Sequence, residues 1–144
     1  MVTDRKYIVL VVDDDEGVRK VLGQWVQRLG YDVHVADSAE AALEVLEHHP
    51  IDVALCDVLM PGNDGLWLAD RIRERFPEVA IVLATGLNEL DPTATLRAGV
   101  VAYVVKPFSH EEISGAIQEG LVWRQSYVRR RNEPLRLTGD FGMF

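Results

Sequence analysis

The sequence contains a single cysteine, Cys56, among its 144 residues. One thiol cannot form an internal disulfide or a thiolate cluster around a metal ion, so a disulfide-stapled fold and a zinc finger are both excluded. Long apolar runs are missing as well. Runs such as residues 7–12 are too short to cross a bilayer, and the residues before them lack the pattern of a signal peptide. We therefore expect a soluble, cytoplasmic protein.

Positive charge is scarce, because 15 Lys and Arg stand against 23 Asp and Glu for a net charge of -8. Duplex binding depends on neutralising phosphates, so this balance disfavours nucleic acid as the main partner. The charge is also uneven. Residues 122–144 hold five arginines against Glu133 and Asp140, a net +3, which leaves -11 on residues 1–121. Length and a hydrophobic content of 48% fit one domain with a full core.

Short apolar segments alternate with amphipathic ones along the chain. Five segments rich in Val, Ile and Leu are predicted to be buried strands: residues 7–12, 32–36, 52–56, 79–84 and 101–105. Because helical patterns separate them, the order is typical of a doubly wound α/β domain, a parallel sheet with helices on both faces.

Helical spacing and end signals predict five helices. They run from about residue 18 to Gly30, from Asp37 or Ser38 to Pro50, from near Asp64 to Pro77, from Asp91 to Gly99, and from the capping box Ser109–Glu112 onward. The fourth has the weakest periodicity. Nothing stops the last before about Arg131, so we expect a domain over residues 1–125, then a basic helical extension and loose C-terminal tail over 126–144.

Polar side chains follow four of the predicted strands. They are Asp13, Asp14 and Asp15 after the first, Asp57 after the third, Thr85 after the fourth and Lys106 after the fifth. In an open parallel sheet, ligands bind outside the carboxyl ends of the strands, so these groups should meet at one edge. Carboxylates about 4 Å apart repel by roughly 4 kcal/mol per pair at an effective dielectric near 20, so a cation should accompany them. Oxygen ligands without His or Cys favour Mg2+.

The same edge would suit phosphoryl transfer. A lysine and a hydroxyl around a free carboxylate can neutralise and position a phosphoryl group, and the carboxylate can act as the nucleophile. Each residue alone has an ordinary alternative. Asp14 or Asp15 could cap the next helix, Lys106 could be solvated surface, and Thr85 could be a turn residue. Their coincidence at one edge favours a site.

Four motifs carry a resemblance to a known family. Residues 11–15, 57–65, 83–86 and 102–108 read VVDDD, DVLMPGNDG, LATG and AYVVKPF. In this order and spacing they resemble the receiver domains of bacterial response regulators, over about residues 5–125. The resemblance implies a flavodoxin-like fold with strand order 2-1-3-4-5.

The resemblance also implies roles for individual residues. Asp57 matches the phosphoacceptor, and Asp13 and Asp14 match the acidic pair that holds Mg2+ together with Asp57 and the backbone carbonyl of Leu59. Thr85 matches the switch hydroxyl, Lys106 the lysine that pairs with the phosphoryl group, and Tyr103 the aromatic switch. The bond from Lys106 to Pro107 is expected to be cis.

In function, the resemblance implies a signalling phosphoacceptor of a two-component system rather than an enzyme with a separate substrate. A histidine kinase or a histidine phosphotransfer protein would donate the phosphoryl group. Phosphorylation would reshape the face of the predicted fourth helix, fifth strand and fifth helix, which could contact an output domain, a protein target or a second copy. Leu59 and Leu87, two residues beyond Asp57 and Thr85, cannot orient a hydrolytic water, so we expect slow autodephosphorylation.

Alternatives remain at this point. A phosphatase of the haloacid dehalogenase type also uses an Asp-x-Asp pattern, which Asp13 and Asp15 satisfy. That family needs a further acidic pair on a strand after the lysine, whereas Lys106 is followed by Pro107 and Phe108 and then a helix, and the phosphatase interpretation leaves Asp57 unexplained. A degenerate receiver that only binds partners conflicts with the complete set of residues. The arginine-rich tail could be a solvated helix end, a lead-in to an output domain, a dimer contact or a docking site for an acidic partner. The sequence names neither the kinase nor the output.

Overall fold

The computed structural model of the chain describes residues 5–86 and 99–133. Along these residues the elements are β1 (Ile8–Val12), α1 (Glu16–Arg28), β2 (Asp32–Ala36), α2 (Ala39–His48), β3 (Val53–Asp57), α3 (Gly65–Arg75), β4 (Ala80–Gly86), β5 (Val100–Lys106) and α4 (His110–Asn132). The strands form one parallel sheet in the order β2-β1-β3-β4-β5. The predicted fold class and strand order are confirmed.

The central strand β3 explains why the apolar segments lack polar alternation. Its side chains point in turn to two cores, Ala54 and Cys56 to one and Val53 and Leu55 to the other. Helices α2 and α3 cover the first core, and α1 and α4 cover the second. Both faces of the sheet are therefore buried, and only the strand ends are left for polar chemistry.

The helices begin where their capping residues predict. Asp15, Ser38, Asp64 and Ser109 each accept a hydrogen bond from a backbone N–H in the first turn of the following helix. Ser109 also forms the predicted capping box with Glu112. These caps fix where the chain leaves each strand end and turns into a helix.

Two predicted segments fall wholly or partly beyond the described residues. The predicted fourth helix, from Asp91 to Gly99, lies in residues 87–98 apart from its last residue, so α4 is the fifth helix of the sequence prediction. It continues to Asn132, close to the expected end near Arg131. Most of the expected loose tail, residues 134–144, is outside the description. Within the described ranges, no helix combines the length and apolarity needed to cross a membrane.

Candidate functional site

Two adjacent strands bring three carboxylates together. Asp13 follows β1 directly and Asp57 is the last residue of β3, and β1 and β3 are neighbours in the sheet. The side chains of both are buried, whereas Asp14 is exposed. One carboxylate oxygen from each of the three residues lies within 4.8 Å of the others. This cluster of oxygen ligands could hold a metal ion at the edge open to solvent.

Lys106 reaches the same carboxylates from the end of β5. Its Nζ lies 3.2 Å from Asp57 Oδ1 and 3.4 Å from Asp13 Oδ2. Because β4 lies between β3 and β5, the lysine side chain spans the carboxyl end of β4, where its register partner is Gly86. The ammonium thus sits among the acidic groups while about a third of its side chain remains exposed (32%).

The electrostatics of the cluster leave it short of positive charge. Burial and the neighbouring carboxylate of Asp13 raise the pKa of Asp57 to about 6, although Lys106 and the Leu59 N–H act in the opposite direction. Burial lowers the pKa of Lys106, but Asp57 and Asp13 outweigh it and raise that pKa overall. One lysine therefore does not fully compensate Asp57, and a further cation would stabilise the carboxylates.

The loop that follows Asp57 is held close to it by a glycine. A Cβ placed on Gly65 would lie 2.2 Å from the backbone carbonyl oxygen of Asp57, so no side chain fits there. Gly65 N–H also donates to the carbonyl of Val58 at 2.9 Å. As a result α3 starts against the backbone of the phosphoacceptor candidate, and the intervening loop projects Leu59, whose side chain is 61% exposed.

Of the remaining predicted site residues, Thr85 lies next to the strand position that pairs with Asp57. Thr85 is buried next to Ala84, the register partner of Asp57, and its hydroxyl donates to the carbonyl of Gly86 at 3.2 Å. Tyr103 pairs with Leu83 in the sheet and is partly buried against the core under α2 and α3. Leu87 lies outside the described residues. The peptide bond between Lys106 and Pro107 is cis, as expected.

Asp15 caps the first helix. Its carboxylate accepts the Val18 N–H at 3.0 Å as the N-cap of α1, and its own N–H donates to Asp13 Oδ1 at 2.9 Å. The alternative in which Asp13 and Asp15 together form a phosphatase site has no support in this geometry. The capping interpretation, left open in the sequence, is the correct one for Asp15.

Sequence reasoning missed a cleft next to the cluster. It has a volume of about 540 Å3, is lined mainly by apolar groups and lies between α1 and the loop that joins β5 to α4. Its lining includes Val18, Val21, Leu22, Pro107 and Phe108. Lys106 and Asp15 also line it, so it borders the charged residues directly. Val21 falls among the apolar residues at helical spacing in α1, and the helical pattern does not indicate that it is 43% exposed.

Comparisons with known proteins agree on one family. The family model described as the response regulator receiver domain matches residues 9–118. The chain is 34% identical over 141 residues to the probable transcriptional regulator ycf27 of Cyanidium caldarium, covering 97% of this chain and 55% of that protein. It is 41% identical over 111 residues to the transcriptional regulatory protein AruR of Pseudomonas aeruginosa, covering 73% and 45%. The chain thus spans about half the length of the curated relatives it matches.

Solved structures show the same likeness. The signal receiver domain of an HD domain-containing protein from Pseudomonas fluorescens Pf-5 superposes with a TM-score of 0.77 at 28% identity, covering 85% of this chain and 99% of that one. A putative response regulator from Chloroflexus aurantiacus J-10-fl gives 0.74 at 32% identity, covering 82% and 99%.

Proposed function

The chain belongs to the response regulator receiver domain family, the phosphoaccepting module of two-component signalling, and on this premise we propose that Asp57 is its phosphoacceptor. The observation that carries the proposal is the position of this carboxylate. It ends the central strand beside Asp13, Asp14 and the Lys106 ammonium, at an edge open to solvent. Asp13 also lies near Lys106, but one of its oxygens already accepts the Asp15 N–H at 2.9 Å.

We propose Mg2+ as the cation, held by Asp13, Asp14, Asp57 and the backbone carbonyl of Leu59. The donor set fits, because it is made of oxygen atoms alone. When bound, the ion supplies positive charge that offsets the phosphoryl oxygens during transfer.

Asp57, Lys106 and Thr85 would each have a separate role in the transfer. An oxygen of Asp57 attacks phosphorus, and the new O–P bond forms as the P–N bond of a donor phosphohistidine breaks. The electron pair of that bond returns to the imidazole nitrogen, which takes up a proton from solvent. Lys106 pairs with a phosphoryl oxygen, and the Thr85 hydroxyl donates to another. The reaction needs no separate general base, because a carboxylate whose pKa is about 6 is ionised at neutral pH.

The donor is proposed to be a histidine kinase or a histidine phosphotransfer protein. Its reactive histidine has to come within bonding distance of Asp57, so the donor must cover the surface beside Lys106. The apolar cleft between α1 and the loop that joins β5 to α4 occupies that surface. We propose that a donor helix packs against Val21 and Phe108 there.

Signal output would begin at Thr85 and Tyr103. Movement of the Thr85 hydroxyl toward the phosphoryl group would leave space for Tyr103 to turn inward, which biases an existing two-state equilibrium. The face containing β5 and α4 would then contact a protein target, a second copy or an output domain. The curated relatives are named as transcriptional regulators, so an output domain that contacts DNA is one candidate partner.

We propose a receiver unit over residues 1–125, with the basic extension over 126–144, in a cytoplasmic protein that is not an enzyme acting on a separate substrate. Its own dephosphorylation would be slow, because the exposed side chain at Leu59 is apolar and cannot orient an attacking water.

The test is incubation with acetyl phosphate and Mg2+, followed by intact mass spectrometry. We expect one phosphoryl adduct on the wild-type chain and none on Asp57→Asn. Asp52→Asn would be a poor control because it is buried in a salt-bridge network, so the exposed Asp37→Asn serves instead and should keep the adduct. An adduct that survives in Asp57→Asn would move the phosphoacceptor elsewhere.

A further inference from the structure

The last helix extends beyond the sheet that it covers. α4 has 23 residues and β5 has seven. At about 1.5 Å per helical residue and about 3.3 Å per strand residue, the helix is roughly 34 Å long and the strand roughly 23 Å. We call its C-terminal part, residues 121–132, the arm. The end of a helix frays readily where it leaves the body of a domain, so the order of the arm depends on the contacts that it makes there.

Two arginines seven positions apart bind the arm to the amino-end side of the sheet. Arg124 Nε lies 3.1 Å from Oδ1 of Asp52, which immediately precedes β3; the two form an ion pair without the geometry of a hydrogen bond. Arg131 forms an ion pair with Glu78, in the turn before β4. Because a spacing of seven returns to the same helix face, both contacts point toward the body.

Neighbouring residues of the arm add further contacts. Gln125 Nε2 donates to the Tyr7 hydroxyl at 2.7 Å, just before β1. The Arg73 guanidinium lies 5.4 Å from the centroid of the Trp123 ring, which itself stacks on Tyr127 at 5.3 Å. The arm therefore touches the approaches to β1, β3 and β4, together with the end of α3.

Asp52 is the most buried of these partners. Its side chain is 0% exposed. It accepts two hydrogen bonds from the guanidinium of Arg5, at 2.7 and 3.0 Å, and one from the Ile8 N–H at 2.8 Å. One bidentate arginine already neutralises the carboxylate and occupies both oxygens. A second cation is unnecessary for charge balance, so the buried ion pair with Arg124 calls for another explanation.

We propose that the amino-end side of the sheet is a docking surface for this chain's own arm, and that Arg124, anchored on Asp52, fixes the arm to it. The arm is then a rigid continuation of the domain rather than a free linker. It sets the position at which the chain leaves α4 at Asn132. This inference does not depend on phosphorylation of Asp57, which lies at the opposite, carboxyl end of β3.

Hydrogen exchange of the full chain, read by mass spectrometry, tests the proposal with matched variants. Arg124→Met removes the anchor but leaves Asp52 paired with Arg5. Arg129→Met removes the same charge and side chain from an exposed position of the arm. We expect Arg124→Met to speed amide exchange in residues 124–132 by about tenfold or more, while Arg129→Met leaves it unchanged.

The amides of β1 and β3 report whether the fold survives. They should stay protected in Arg124→Met. If they lose protection, Arg131→Met takes the place of Arg124→Met in the comparison with Arg129→Met. Arg131→Met leaves Asp52 untouched and should speed exchange in the last turn of the arm alone. Equal exchange of the arm in Arg124→Met and Arg129→Met would overturn the proposal, as would an arm that already exchanges at the rate of an unfolded peptide in the wild type.

Discussion

Replacing Asp57 by Asn should stabilise the metal-free protein at neutral pH. The carboxylate is buried beside Asp13, and these two effects raise its pKa to about 6 from an ordinary 3.8. A raised pKa means that the folded state disfavours the charged form. The stability that the protonated group contributes is fully present below pH 3.8 and is lost as the pH rises through about 6. Because the Asn side chain carries no charge, the variant does not lose this stability as the pH rises.

The magnitude follows from the two pKa values. At 1.36 kcal/mol per pH unit, their difference corresponds to at most about 3 kcal/mol at pH 7.5. Solvent at the open edge reduces this, so we expect a gain in the free energy of unfolding of about 1 to 3 kcal/mol. At pH 4.5 the folded carboxyl group is mostly protonated, and the gain should fall to roughly a third of its value.

Urea unfolding of the wild type and Asp57→Asn, in EDTA at both pH values, measures this directly. Asp14→Asn is the control, because that carboxylate belongs to the same cluster but is exposed to water; its gain should be clearly smaller. Added Mg2+ should stabilise the wild type more than Asp57→Asn, since the variant has lost a ligand. A variant that is less stable than the wild type at pH 7.5, or a gain that does not depend on pH, would refute the argument.

Three further outcomes are expected. Val21→Asp should slow phosphotransfer from a histidine kinase at least tenfold and leave labelling by acetyl phosphate unchanged, whereas Val122→Asp, at an exposed position away from the cleft, should affect neither. Equal loss in both assays would exclude donor docking at the cleft. Leu59→Asn should shorten the lifetime of the phosphorylated protein several-fold, measured by loss of label after donor removal. Gly65→Ala should destabilise the fold by about 2 kcal/mol or more, because its Cβ meets backbone, while Gly115→Ala, with open space around it, should raise stability by up to about 1 kcal/mol in urea unfolding.

The sequence predicts most of the fold because its signals are local. A strand whose two faces are both buried gives an uninterrupted apolar segment in the sequence. The bounds of β2 match the predicted residues 32–36. Other strand ends shift by one or two residues. Asp57 and Lys106, for example, belong to β3 and β5, whereas the apolar pattern ends one residue earlier in each case. The acidic cluster also follows from topology alone, because parallel strands bring their carboxyl ends to one edge.

Features formed by distant residues were harder to predict. Asp52 reads as the first residue of a strand, and nothing near it in the sequence indicates that Arg5 and Arg124 meet there. The aromatic and apolar residues of the cleft are individually ordinary for amphipathic helices. Such sites depend on how α1 and α4 pack against the sheet, which helical periodicity does not encode.

Strand β3 carries an acidic group at each boundary, Asp52 just before it and Asp57 at its end, and both are held by cations. A slip of one residue in its pairing would exchange the side chains facing the two cores and pull both carboxylates away from their partners. Such a misregistered chain would bury unpaired charge on either side of the sheet. The central strand of this domain is thus protected against mispairing during folding by the same acids that flank it in the native state.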